Sequence, residues 1–167
     1  MNMRKLFFAV LISVFVISCS STDKTAVENV ALVQKYVQGV EDMNFEIMDN
    51  LLADNYLGLG PSYGDSINKT QAIENWKANV ENLYEKIEYK KSRNAAVTIT
   101  SGDNKGEWVS NWAELEITYK NNIGKVTIWA NTTYLIENGK IIRSFTFYNE
   151  ADALRQLGYS IVKSDEL

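Results

Sequence analysis

Apolar positions along this chain change their period part-way. From Ala26 they recur at helical spacing, with Val30, Val33, Val37 and Val40 forming a stripe that Leu32 and Tyr36 widen. A short second helix is predicted behind Asn44, a residue suited to cap it, with Phe45, Met48, Leu51 and Leu52 facing inward. The stretch "LADNYLGLGPSYGDS" (52–66), with three glycines and the sole proline, then breaks the helix. A third helix opens at Asn68, where Gln71 three residues on resembles a capping box. Ile73, Trp76, Val80, Leu83 and Tyr84 give that helix one apolar face. After Glu88 the pattern becomes β, and strands are predicted over about 87–100, 107–119, 125–137 and 140–149. The breaks between them are "SGDNKG", "KNNIG" and the two-residue Asn138-Gly139, a strong hairpin signal. Asn149 caps a short closing helix and Gly158 stops it. Helices followed by a meander predict an α+β domain, with the N-terminal helices packed on one face of a curved antiparallel sheet.

Hairpin geometry sorts the strand residues by face. A tight turn at Asn138-Gly139 pairs Thr133 with Ser144, Asn131 with Thr146 and Trp129 with Tyr148. Extension through "KNNIG" sets Asn111 beside Thr133 and Ala113 beside Asn131. One face then carries Asn111, Trp129, Asn131, Thr133, Ser144, Thr146 and Tyr148, small and polar at its centre as a ligand site would be. The other carries Trp108, Trp112, Tyr134, Arg143, Phe145 and Phe147, a composition enriched in interface cores. The first face is read as a cavity wall and the second as a homodimer seam. Ordinary core under the chain's own helices is the alternative for the aromatic face.

The N-terminus changes the picture from a soluble domain to a tethered one. Arg4 and Lys5 precede an apolar run of 12 residues, Leu6 to Ile17, which is shorter than the roughly 20 residues a spanning helix needs. It fits the apolar region of a secretory signal. The run ends in "VISCSS", which looks like a bacterial lipobox, with cleavage before Cys19 and lipidation of its thiol. The expected organisation is a signal peptide at 1–18, lipidated Cys19 with a short tether through 25, a folded domain at 26–160 and a tail at 161–167. A plain buried or free thiol is the alternative for Cys19. As the sole cysteine it can form no disulfide within the chain and no Cys-based metal site. The expected location is lipid-anchored to a membrane, the outer membrane facing the periplasm. Without the leader, 15 basic residues stand against 21 acidic ones, a net charge near −6, and no basic cluster suits nucleic acid.

Residues 26–159 resemble the nuclear transport factor 2-like superfamily, in particular its SnoaL-like polyketide cyclase and ketosteroid isomerase branch. The resemblance rests on helix order, "GPSYGDSINKTQAIENW" (60–76), "ENGKIIRSFTFYNE" (137–150) and the final helix. It implies a cone-shaped fold with a pocket between sheet and helices, often dimeric through the outer sheet face. Ketosteroid isomerases place an oxyanion-stabilising Tyr late in the first helix, where Tyr36 stands. They place a base Asp before a proline, where this chain has Gly60, and a protonated Asp on a late strand, where Asn131 stands. Many SnoaL-like members carry His and Asp on the last strand, where Ser144 and Thr146 stand, and this chain has no histidine.

General acid–base chemistry needs a group that titrates near the working pH, and Ser, Thr and Asn do not. The expected function is therefore binding of a small, largely apolar molecule, with no cofactor or metal. Asn111, Asn131, Thr133, Ser144 and Thr146 would orient its polar groups, and Trp129, Tyr148, Tyr36, Tyr56 and Trp76 would contact its body. Core packing is the alternative for the aromatic residues, Trp76 above all. A second reading is an isomerase, cyclase or dehydratase with a displaced base, for which Asp65, then Asp54, are candidates beside Tyr36; the alternative for Asp65 is a turn residue. A third is a dimeric scaffold or partner-binding module.

Overall fold

Local signals fix the helix boundaries in the computed structural model, which describes residues 18–163. Helix α1 (Ser18–Glu41) buries Val33, Tyr36, Val37 and Val40, the stripe its spacing predicts. Its first turns include the segment expected as a tether. Helix α2 (Phe45–Leu51) is capped by Asn44, whose side chain accepts from the Ile47 N–H, and it buries Met48 completely. Helix α3 (Lys69–Asn82) starts in a capping box: the Asn68 side chain accepts from the Gln71 N–H, and the Gln71 side chain accepts from the Asn68 N–H. It stops before Leu83, which is exposed, so Tyr84 belongs to the following strand rather than to the helix face expected for it. Helix α4 (Glu150–Gln156) is capped by Asn149. Among the described residues no helix is long and apolar enough to cross a membrane. The signal segment through Ile17 and the last four residues lie outside the described residues, and side chains are described only from Lys24 on, so the lipidation of Cys19 lies outside them too.

The strands are β1 (Leu52–Leu59), β2 (Ser66–Asn68), β3 (Tyr84–Ile99), β4 (Gly106–Tyr119), β5 (Gly124–Glu137) and β6 (Lys140–Tyr148). They form one six-stranded sheet in the order β2-β1-β6-β5-β4-β3. The meander from β3 to β6 is antiparallel as expected, but β1 lies parallel to β6, so the sheet is mixed. Strands β1 and β2 fall in the stretch where the sequence signals only a break. Its glycines end and bend strands there rather than excluding them, and Gly60, at φ +91°, shows why. A Cβ at that position would lie 2.4 Å from the Thr146 carbonyl oxygen, so only glycine lets the chain leave β1 against β6.

Register is where the structure departs most from expectation. The Asn138-Gly139 turn does pair Glu137 with Lys140 and Ile136 with Ile141. One step later Leu135 pairs with Arg143, so Ile142 is an extra residue on β6, a bulge. Beyond it Tyr134 faces Ser144 and Thr132 faces Thr146, one place off the uninterrupted hairpin. The turn between β4 and β5 also closes one residue tighter, pairing Tyr119 with Gly124 and Asn111 with Thr132. A one-residue slip moves every side chain of a strand to the other face. Because both neighbours of β5 are offset alike, β5 alone is inverted while β4 and β6 keep their expected faces.

Helices α1 and α3 pack on the inner face of the sheet, and α4 closes one end against β5. The last pair between β5 and β6 is Ala130 with Tyr148, so Thr127 extends past the end of β6. Gln156 of α4 completes that bare stretch: its amide accepts from the Thr127 N–H at 3.0 Å and donates to the Thr127 carbonyl at 2.9 Å. This clasp holds α4 at one end of the space between helices and sheet.

Candidate functional site

That space is a cavity of about 420 Å³. Its wall comes from alternate residues of β5 and β6, namely Ile128, Ala130, Thr132 and Tyr134 with Ser144, Thr146 and Tyr148. Tyr36 of α1, Tyr56 of β1 and Trp76 of α3 complete the set of expected residues that line it.

The inversion of β5 removes three residues from the expected site. Trp129, Asn131 and Thr133 lie on the outer face, and Trp129 is 74% exposed. Asn131, expected at the place of a catalytic Asp, instead donates to the Ser110 hydroxyl and the Asn111 carbonyl, both at 2.9 Å. Tyr134, expected in the outer seam, is buried in the cavity wall. Asn111 shares the inner face but does not line the cavity; its amide donates to Ser92 and Asn94 at 2.7 and 3.0 Å. Neither candidate base reaches the cavity. Asp54 is exposed and pairs with Lys69 at 3.4 Å. Asp65 is an exposed loop residue whose N–H donates to the Ser62 carbonyl and whose carbonyl accepts from Gly60.

Sequence reasoning missed Tyr84, Tyr89, Tyr119, Thr132, Tyr134 and Glu150, all of which line the cavity. The available signal was the pair Val126 and Ile128, apolar residues that alternate with polar Lys125 and Thr127, which fixes the inward parity of β5. The bulk of Trp129 pointed the other way.

Phenol hydroxyls dominate the interior end. Tyr56 and Ser144 share a hydrogen bond of 2.6 Å, and Thr132 and Thr146 share one of 3.2 Å. Gly58, beside Ser144 in the β1–β6 pairing, makes room for the first, since a Cβ there would sit 2.6 Å from the Tyr56 hydroxyl. The Tyr36 ring meets the Tyr134 ring edge-on at 5.7 Å. Burial pushes the Tyr36, Tyr89 and Tyr134 phenols well above their usual range and raises Tyr56 too. These hydroxyls are neutral donors at any ordinary pH. No buried side-chain polar atom among the described residues lacks a partner. Among the described residues the Tyr36 and Tyr89 hydroxyls take no hydrogen-bond partner, and both residues line the cavity.

At the other end, exposed Glu150 is the only carboxylate among the described residues that line the cavity. No three His, Cys, Asp or Glu side chains among the described residues are grouped to hold a metal ion.

No family model matches this sequence, and no curated protein matches it either. Solved structures do. A candidate polyketide cyclase from Xanthomonas campestris superposes with a TM-score of 0.64 at 13% identity, over 79% of this chain and 98% of that one. An LEH-like epoxide hydrolase from M. tuberculosis gives 0.58 at 12% identity, over 80% and 91%. A hypothetical protein from Catenulispora acidiphila with a ketosteroid isomerase-like fold, solved in complex with trimethylamine, gives 0.58 at 15% identity, over 77% and 93%. The chain has the nuclear transport factor 2-like fold. Identities this low establish the fold and leave the chemistry to the site itself.

Proposed function

We propose that this chain is a membrane-anchored binding domain for a small, largely apolar molecule that carries an oxygen acceptor. The observation behind this reading is the cavity floor, which offers neutral phenol and alcohol hydroxyls and no group that titrates near neutral pH. Such donors orient a carbonyl or hydroxyl, whereas proton abstraction needs a base within reach. The cavity volume falls within the range of small-molecule sites. The apolar leader and Cys19 support a lipid anchor, with the domain held at the outer membrane facing the periplasm.

A second copy of the chain is the proposed occupant of the outer sheet face. Trp112, Trp129 and Phe147 are 46%, 74% and 57% exposed there, beside Arg143 and the Trp108–Phe145 ring contact. An exposed aromatic patch of this kind suits the seam of a two-fold dimer.

An enzyme of the isomerase, cyclase or dehydratase type is the second reading, and Glu150 favours it more than Asp54 or Asp65 does, because only Glu150 lines the cavity.

Native mass spectrometry of the purified chain, compared with its denatured mass, tests the main reading. The expected result is an extra mass that departs on denaturation, carried by a dimer. Bare protein that also takes up no small apolar probe would refute the binding reading, and a monomer would refute the seam.

A further inference from the structure

The two ends of the cavity differ in chemistry, and among the described residues no cation neutralises the Glu150 end. Trp76, Tyr84, Tyr119 and Tyr148 gather there from four elements, all partly buried and all lining the cavity. The Tyr84 ring lies 6.1 Å from Trp76 and 5.5 Å from Tyr119, inclined by 56° and 75°. Rings set at such angles form adjoining walls rather than a stack. Glu150 occupies the first position of α4, clasped in place by Gln156. Its charge acts on three of these rings: burial first, and Glu150 after it, raise the phenols of Tyr119 and Tyr148, and Glu150 contributes to holding Tyr84 at about 12. Among the described residues Glu150 forms no ion pair. The nearest acid on the same helix, Asp152, is already engaged by Arg155 and Gln156.

We propose that this end of the cavity is a site for an organic cation, an alkylammonium group whose apolar body extends toward the tyrosine floor. The proposal rests on the ligand-binding reading and sharpens it to a class. Aromatic rings attract a cation through their quadrupoles, and a carboxylate beside them supplies the countercharge. An anionic head would meet Glu150 and a domain of net negative charge. A neutral donor would hydrogen-bond to the carboxylate but gain little from the surrounding ring faces.

The test compares benzyltrimethylammonium with neopentylbenzene, its uncharged isostere, titrated into the full chain and followed by ligand-observed nuclear magnetic resonance. The cation should bind at least about tenfold tighter than the hydrocarbon. Glu150→Gln, at an exposed position, should remove most of that preference while leaving hydrocarbon affinity unchanged and lowering the melting temperature by no more than a few degrees, the loss of one first-turn carboxylate. Trp76→Leu should weaken the cation more than the hydrocarbon. Equal affinity for the two probes, or a preference that survives Glu150→Gln, overturns the cation site and leaves the binding cavity standing. If neither probe binds, the cavity reading falls and the cation site falls with it.

Discussion

The inner and outer faces of the sheet are made by the same strands, residue alternating with residue, yet they treat rings and polar atoms in opposite ways. On the inner face Tyr134 is 4% exposed and packed edge-on against Tyr36, and Ser144 is tied to Tyr56. On the outer face Trp129 stands 74% exposed on the same strand. Inside, the polar groups are mostly hydroxyls that line the cavity, and desolvation keeps the phenols protonated. Outside, charges pair across strands, as Glu116 does with the half-exposed Lys90 and Lys125, which hold its carboxyl down to about 2. An aromatic residue thus means stability on one face and an available surface on the other, and parity along the strand decides which.

Alkaline titration should break this contrast most severely. A phenol raised in the folded state keeps its proton while the unfolded chain loses it near 10.0. Stability is then intact below about pH 10 and falls as pH rises toward the folded values; Tyr84, moving to about 12, accounts for a loss of about 3 kcal/mol by itself. Tyr36, Tyr89 and Tyr134 add to the same loss. Tyrosinate absorbance should therefore rise together with the loss of circular dichroism. Ionisation of every tyrosine near 10 in a chain still folded would show that the inner ring cluster is wet.

Truncating one ring on each face is the next sharpest comparison. Tyr134→Ala should cost about 3–5 kcal/mol in urea unfolding, as large-to-small changes in a packed core do. Trp129→Ala, measured dilute enough to keep the chain monomeric, should stay within about 0.5 kcal/mol. Reversed magnitudes would restore the uninterrupted hairpin register and put Trp129 in the cavity.

A smaller difference separates two hydroxyls. Ser144→Ala leaves the Tyr56 phenol without its partner and should cost about 1–2 kcal/mol. Thr133→Ala on the outer face should change stability by less than about 0.5 kcal/mol. Equal effects would mean that water replaces Ser144 freely and that the floor is more open than the 2.6 Å contact implies.

Much of this molecule was legible in the sequence because its signals are local. Helix periodicity, the Asn caps, the Asn138-Gly139 turn and the meander depend on residues within a few positions of one another, and they sufficed for the helix-on-sheet architecture. The faces of β4 and β6 followed from alternation. What only the tertiary structure decided was relational. The bulge at Ile142 and the tight turn before Gly124 leave no distinct local mark, yet together they invert β5 and exchange Trp129, Asn131 and Thr133 for Thr132 and Tyr134 in the cavity wall. Strand β1 pairs in parallel with β6, nearly ninety residues away, so no nearby partner announced it. Glu150 reads in sequence as an ordinary acid in the first turn of a helix. It lines the cavity because Gln156 clasps Thr127 and sets α4 over the bare end of β5, a contact between distant residues that periodicity does not encode.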